Sequence, residues 1–132
     1  MYYKDMEVWK CSMKLVKDVY QLISIFPKDE IYGLTSQIKR AAISVPSNIA
    51  EGCSRYSDKD TCKFIDIALG SIAELDTQLI LAQDLGFAEY NQEVADSISK
   101  LNALLQGLKK YTQNSKFVYQ IFLHNPLLYL KE

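Results

Sequence analysis

Apolar residues recur every three or four positions through most of the chain, which is the spacing of one helix face rather than of a strand. The first such run extends from Asp5 to Phe26. Its apolar side consists of Val8, Leu15, Val19, Leu22, Ile23 and Phe26, widened by Trp9, Val16 and Tyr20. Lysines 10, 14 and 17 line the opposite side. The pattern therefore predicts an amphipathic first helix that ends at Pro27.

Three further helical runs follow, separated by glycine, proline and polar breaks. We predict a second helix from Gly33 to Gly52, a third from Ser57 to Gly86 and a fourth from Glu89 to Tyr111. Ser57 followed three positions later by Asp60 is typical of a helix N-cap, and a glycine such as Gly86 commonly ends a helix. Four helices of this length with short loops predict an all-α, up-down-up-down four-helix bundle.

Polar residues interrupt the apolar surface of the two middle helices. The apolar face of the third helix is formed by Phe64, Ile67, Ala68, Leu75, Leu79 and Ala82. Ser71 and Gln78 lie in the middle of that face, and Glu74 lies at its edge. A buried polar group without a partner costs about 1–3 kcal/mol, so these groups are expected to bond to polar groups on the second helix.

The second helix carries polar residues within about 80° of arc beside its apolar stripe. We therefore predict an interhelical polar seam, in which Arg40 pairs with Glu74 or Glu51. The members of this seam are Gln37, Arg40, Ser44, Asn48, Glu51, Ser71, Glu74 and Gln78.

Pro46 stands inside the second helix, in the stretch SVPSNIAEG. A proline removes one amide donor and clashes with the carbonyl four residues earlier, which bends a helix. The apolar and polar stripes keep their phase on both sides, so we predict a kinked helix without a break. The hydroxyls of Ser44 and Ser47 are placed to bond the disturbed carbonyls.

The end of the chain differs from the rest. The stretch KFVYQIFLHNPLLYLKE is rich in aromatic and aliphatic residues but has no single apolar face. It can extend the fourth helix past Gly107 and then turn at Asn125 and Pro126. We assign residues 1–112 to the bundle and residues 113–132 to a C-terminal extension. Because so much apolar surface needs a cover, the extension either docks on its own bundle or forms an arm on a neighbouring subunit.

Few residues in the sequence are of the types that form catalytic or metal sites. The three cysteines form no CxxC pair, which predicts free thiols in a reducing cytoplasm. The charged residues near the start of the sequence and the lack of a long apolar run lead us to expect neither a signal peptide nor a membrane span. The single histidine, His124, argues against histidine-based metal centres and Ser-His-Asp triads. Glu51 and Glu74 could in principle do acid/base work, but no Glu-x-x-His pair accompanies them. We predict a structural seam with no catalytic residue, metal or cofactor.

The basic residues suggest nucleic-acid binding as a second hypothesis for the function. With 15 basic and 16 acidic residues the formal net charge is -1, which lacks the basic excess of a non-specific nucleic-acid binder. An oligomer could still multiply a modest basic patch by valency. The candidate nucleic-acid contacts are Lys10, Lys14, Lys17, Lys39, Arg55, Lys59 and Lys63.

Two stretches, FPKDEIYGLTSQIKRAAISVPSNIAEGCSR and FIDIALGSIAELDTQLILAQDLG, carry a family pattern. The pattern residues are Pro27, Lys28, Gly33, Leu34, Thr35, Gln37, Arg40, Ala41, Ser44, Pro46, Asn48, Ile49, Ala50, Glu51, Gly52, Ala68, Gly70, Ser71, Glu74 and Leu75. From about Asp5 to Tyr111 the chain resembles the 23S rRNA intervening-sequence proteins. The resemblance implies a four-helix bundle that assembles into a homopentamer and has no established enzymatic activity. Similar accessory proteins of diversity-generating retroelements are basic pentamers that bind nucleic acid and a reverse transcriptase.

Two functions are therefore expected from the sequence. The first is a non-catalytic, cytoplasmic assembly protein that forms an oligomer and recruits a protein or RNA partner. The alternative is an RNA-binding module that acts through a multivalent basic patch.

Overall fold

The computed structural model describes the backbone of residues 2–124 and the side chains of residues 2–114. Four α-helices form: α1 (Glu7–Ile23), α2 (Leu34–Cys53), α3 (Asp58–Asp84) and α4 (Gln92–His124). Short 3₁₀ turns at Tyr3–Asp5 and Lys28–Glu30 precede α1 and α2. Residues 2–124 contain no strand, and the predicted all-α class is confirmed.

Both ends of α3 are closed by the residues that the sequence predicts. Ser57 Oγ accepts a hydrogen bond of 3.1 Å from the Asp60 amide, which caps the first turn. Gly86 takes a φ of 78°, a conformation that strains residues with a side chain. The amides of Gly86 and Phe87 donate to the carbonyls of Gln83 and Ala82, so the last turn closes as a Schellman motif.

The ends of α1 and α4 differ from the prediction. The regular helix α1 ends at Ile23, and Ser24–Phe26 form a turn in which the Phe26 amide still donates to the Ile23 carbonyl. Helix α4 does not stop at Tyr111 but continues to His124. No proline interrupts this stretch before Pro126, and Gly107 alone does not break the helix.

Each helix packs against two neighbours, in the order α1–α2, α2–α3, α3–α4 and α4–α1, which is the arrangement of a four-helix bundle. The α2–α3 contact is the most extensive. The centre of the bundle is apolar and almost inaccessible to solvent. Its largest fully buried residues include Leu15, Ile38, Ile49, Ile65, Leu75, Leu79, Leu101 and Leu105.

A glycine allows α2 and α3 to meet closely at one end of their contact. A Cβ atom on Gly52 would lie 3.0 Å from Phe64 Cβ and 3.3 Å from the Thr61 carbonyl oxygen. Thr61 Oγ1 also donates a hydrogen bond of 2.8 Å to the Gly52 carbonyl. The final turn of α2 is thereby fixed against the first turns of α3.

The predicted C-terminal extension begins within α4. The backbone of residues 113–124 is helical, whereas the side chains from residue 115 and all atoms from residue 125 lie outside the described residues. A docked tail and an inter-subunit arm therefore stay predictions. Within the described residues, none of the helices is long and apolar enough to span a bilayer.

Candidate interaction surface

The uncharged members of the predicted seam meet between α2 and α3. Ser44 Oγ and Ser71 Oγ lie 2.8 Å apart across the two helices. Asn48 Nδ2 donates to Ser44 Oγ at 2.9 Å and to the Ser44 carbonyl at 2.7 Å. Ser71 is buried, and Ser44 and Asn48 are half-buried. These three residues satisfy one another, as the sequence predicts.

Gln78 extends this row toward the other end of the α2–α3 contact. Its side chain is buried, and Nε2 donates to Glu74 Oε1 at 3.2 Å. Gln78 Oε1 is enclosed and has no hydrogen-bond partner among the described residues. We call Ser44, Asn48, Ser71 and Gln78 the inner row.

The charged members of the seam lie outside the inner row, and Glu74 alone contacts it, as the acceptor for Gln78. Arg40, Glu51 and Glu74 are exposed, and Gln37 is exposed beside them. Glu51 Oε1 lies 2.6 Å from Arg55 Nη2, one turn further along the chain. We call Gln37, Arg40, Glu51 and Glu74 the outer rim.

The predicted pairing of Arg40 with Glu74 or Glu51 is therefore wrong for the single chain. None of the ion pairs among the described residues includes Arg40. Long charged side chains at the edge of a helix pair can extend into water, and this avoids the desolvation cost of a buried ion pair.

Pro46 is buried in α2 and leaves the helix unbroken from Leu34 to Cys53, as predicted. The predicted hydrogen bonds from the Ser44 and Ser47 hydroxyls to the carbonyls near Pro46 are replaced by a hydrogen bond from Asn48. Ser44 Oγ faces Ser71, Ser47 is exposed, and Asn48 supplies the side-chain donor to the Ser44 carbonyl. The kink itself stays a prediction.

The predicted nucleic-acid contacts are divided between different parts of the bundle. Lys14 bonds Asp18 at 2.8 Å and Glu93 at 3.4 Å, and the hydrogen bond to Asp18 is the main cause of its raised pKa. Lys39 Nζ lies 5.2 Å from the centre of the Tyr20 ring. The structure does not gather the seven cations into one patch.

Arg55, Lys59 and Lys63 lie at the opposite end of α2 from Lys39. Arg55 pairs with Glu51 and stacks over the Phe64 ring, with its guanidinium carbon 4.8 Å from the ring centre. The two lysines border a surface depression that also contains Asp60 and Asp66. Lys10 and Lys17 are exposed on α1.

The outer side of α3 exposes apolar side chains that the sequence does not predict there. Ile67, assigned to the apolar face, is 42% exposed. Ile80 and Leu81 are each 47% exposed, and Leu85 is 55% exposed. At about 100° per residue, Ile67 and Leu85 lie at the edge of the buried face, and Ile80 and Leu81 lie beyond it. Helix α3 therefore carries apolar residues around more of its circumference than the bundle buries.

A cavity of ≈ 320 Å³ opens where α1 passes into α2. We call it the α1–α2 pocket. It is lined by Tyr20, Ile23, Ser24, Phe26, Pro27, Lys28, Ile31, Thr35 and Lys39. Thr35 belongs to the family pattern and is buried, and its Oγ1 has no hydrogen-bond partner among the described residues. Sequence reasoning missed this pocket, because half of its lining comes from the irregular segment before α2.

The α3–α4 turn, residues 84–91, lies at the same end of the bundle. The rings of Phe26 and Phe87 stack with centres 5.6 Å apart, which joins the two turns. Tyr90 donates its hydroxyl to Asp76 Oδ1 at 2.7 Å, and its amide donates to Gln83 Oε1 at 2.8 Å. Burial, reinforced by the neighbouring Asp76 carboxylate, raises the pKa of the Tyr90 phenol well above its usual value. The turn is thereby held rigidly.

Groups that could do chemistry do not converge. Among the described residues, no three histidine, cysteine, aspartate or glutamate side chains form a cluster suited to a metal ion. The three cysteines are half-buried free thiols. Burial raises the pKa of Cys53 and Cys62, which lowers the fraction of reactive thiolate.

Comparison with known proteins agrees with the fold. A search of curated proteins gave no match. The family model for the 23S rRNA-intervening sequence protein matches residues 4–110, which include α1, α2, α3 and the bundled part of α4. The chain therefore belongs to the 23S rRNA-intervening sequence protein family.

Proposed function

We propose that this chain is a non-catalytic assembly protein whose function depends on contacts between copies of itself and with a larger partner. The observation that carries the proposal is the exposed apolar surface of α3 and its following turn, at Ile67, Ile80, Leu81 and Leu85. Ile80, Leu81 and Leu85 lie within two helical turns of one another, and exposed apolar side chains that cluster in this way favour a protein–protein contact.

The neighbouring small residues support a contact between helices. Gly70 and Ala73 are exposed on the same side of α3, and the space around Gly70 is open. A second helix could therefore approach the α3 backbone closely between the larger side chains. The homopentamer implied by the family resemblance would bury this surface.

The geometry of the acidic residues supports a non-catalytic role. Glu51 pairs with Arg55, and Glu74 accepts a hydrogen bond from Gln78, so the two carboxylates have separate partners. The polar groups between α2 and α3 are largely engaged with one another. This arrangement suits a scaffold better than a site that transforms a substrate.

RNA binding has less support. It requires several available cations on one face, because its affinity depends on phosphate contacts. Lys14 and Arg55 already pair with carboxylates, and Lys39 lies at the other end of α2 from Lys59 and Lys63. We therefore favour assembly through apolar contacts.

The proposal is tested by light scattering of the full chain at micromolar concentration. We expect a mass several times the monomer mass of 15.1 kDa, and five times that mass for the pentamer. The variant Leu81→Glu should reduce the mass, because it places a charge on the apolar surface. Gln106→Glu, at an exposed polar position on α4, is the matched control. A wild-type mass of 15.1 kDa would contradict the proposal.

A further inference from the structure

The α1–α2 pocket combines an apolar lining with positive charge. Tyr20, Ile23 and Phe26 contribute apolar surface from α1 and its last turn, and Lys28 and Lys39 contribute two ammonium groups. No carboxylate lines the pocket. Of the two acids in the adjacent 3₁₀ turn, Glu30 accepts a hydrogen bond of 3.0 Å from the Leu34 amide, and Asp29 is exposed.

The surface around this pocket is unusually apolar. Ile31 is 53% exposed at its border, and the neighbouring Ile25 and Tyr32 are 72% and 96% exposed. Lys39 is not part of any ion pair among the described residues and rests on the Tyr20 ring. The pocket therefore fits an occupant that combines an apolar side chain with a negative charge.

The α3–α4 turn has the complementary chemistry. Leu85 projects with 55% of its surface exposed, between the exposed acids Asp84 and Glu89. The Schellman motif at Gly86 and the two hydrogen bonds of Tyr90 hold the backbone of the turn. Because the turn is ordered before binding, less conformational entropy is lost when it docks.

The turn does not fill the pocket of its own chain. It meets the pocket lining where the Phe87 ring stacks on Phe26, while Leu85 stays 55% exposed. Both features lie at the same end of the bundle, as the Phe26–Phe87 contact shows. Two copies standing side by side can therefore join the turn of one to the pocket of the next.

We propose that the α1–α2 pocket of one copy binds the α3–α4 turn of a second copy, with Leu85 entering the pocket and Asp84 and Glu89 facing Lys28 and Lys39. This inference rests on the assembly function proposed above. The contact joins two different surfaces, so each copy offers both a turn and a pocket to its neighbours. Such a head-to-tail contact closes into a ring when the rotation between copies permits it.

Charge reversal in the full-length chain tests the inference. Lys39→Glu and Glu89→Lys each place like charges across the contact, and each should weaken assembly by more than about tenfold in sedimentation velocity at low salt. The double variant Lys39→Glu/Glu89→Lys restores opposite charges and should recover the wild-type mass. Lys10→Glu, near the opposite end of the bundle, is the control and should leave the mass unchanged.

A second variant tests the apolar part of the contact without changing the proposed charge pairs. Leu85→Ser removes the apolar side chain that enters the pocket and adds no charge. It replaces an exposed residue, so the helical circular dichroism signal should persist while the oligomer dissociates. An oligomeric wild type whose mass survives Lys39→Glu, Glu89→Lys and Leu85→Ser would overturn this contact and leave the assembly function standing. Loss of assembly in both single charge variants without recovery in the double variant would also overturn it. A monomeric wild type would refute both proposals.

Discussion

The inner row and the outer rim of the α2–α3 contact belong to the same two helices but differ in how their polar groups are satisfied. Ser44, Asn48 and Ser71 bond one another at 2.7–2.9 Å in a partly buried setting. Arg40, Glu51 and Glu74 remain exposed. Short polar side chains can be buried because neighbours of similar reach satisfy them, whereas long charged side chains reach water at little cost.

The largest expected difference in unfolding free energy is between a buried and an exposed residue that are adjacent in α3. Leu75 is fully buried, so Leu75→Ala should lower the free energy of unfolding by about 2–5 kcal/mol. Glu74→Gln changes an exposed side chain and keeps an oxygen acceptor for Gln78 Nε2, so it should cost less than about 1 kcal/mol. Urea unfolding of both variants gives the comparison, and similar losses would contradict the assigned orientation of α3.

Alanine substitutions at two glycines compare a closely packed position of the backbone with an open one. Gly52→Ala places a Cβ atom against Phe64 and the Thr61 carbonyl and should destabilise the chain by about 1–3 kcal/mol. Gly70→Ala meets open space on the outer side of α3 and should stabilise the helix by about 0.5–1 kcal/mol. Thermal or urea unfolding of both variants at the same chain concentration decides the sign. Stabilisation by Gly52→Ala would show that α2 and α3 are not in close contact at Gly52.

The Ser44–Ser71 bond can be isolated with a double-mutant cycle. Ser44→Ala and Ser71→Ala should each cost about 0.5–1.5 kcal/mol, since each removes the bond across the two helices. The double variant should cost less than the sum of the two, because the bond can be lost only once. Additive losses in urea unfolding would mean that the hydroxyls contribute independently.

The smallest expected effect concerns the outer rim. Arg40→Ala and Lys14→Ala should have indistinguishable urea midpoints, because both side chains are exposed and neither holds a buried partner. A clearly lower urea midpoint for Arg40→Ala would support the predicted pairing of Arg40 with Glu74 or Glu51. Both variants are unfolded at the same chain concentration.

Much of the fold follows from local features of the sequence. The periodicity of apolar residues fixes the four helices, and Ser57 and Gly86 mark the ends of α3. The inner row is also predictable, because Ser71 and Gln78 interrupt an apolar face that must be buried.

The remaining features depend on tertiary structure. A helical wheel places Arg40 and Glu74 at the edge of the contact but does not show which way a long side chain turns. Ile67 falls close to the apolar face by angle and is nevertheless 42% exposed. The α1–α2 pocket forms only when the turn before α2 folds over α1, so no periodic pattern reveals it.

The hydroxyl pair between α2 and α3 has a consequence for the alignment of the two helices. Two helices joined only by aliphatic groups could slide past each other by one turn, about 5.4 Å, with little loss of buried area. Here such a slip would separate Ser44 Oγ from Ser71 Oγ and break the hydrogen bond between them. The pair therefore marks the register in the middle of the contact, as the Gly52–Thr61 hydrogen bond does at its end. A chain with alanine at positions 44 and 71 should show broadened amide resonances in the middle of α2, while those near Gly52 stay sharp.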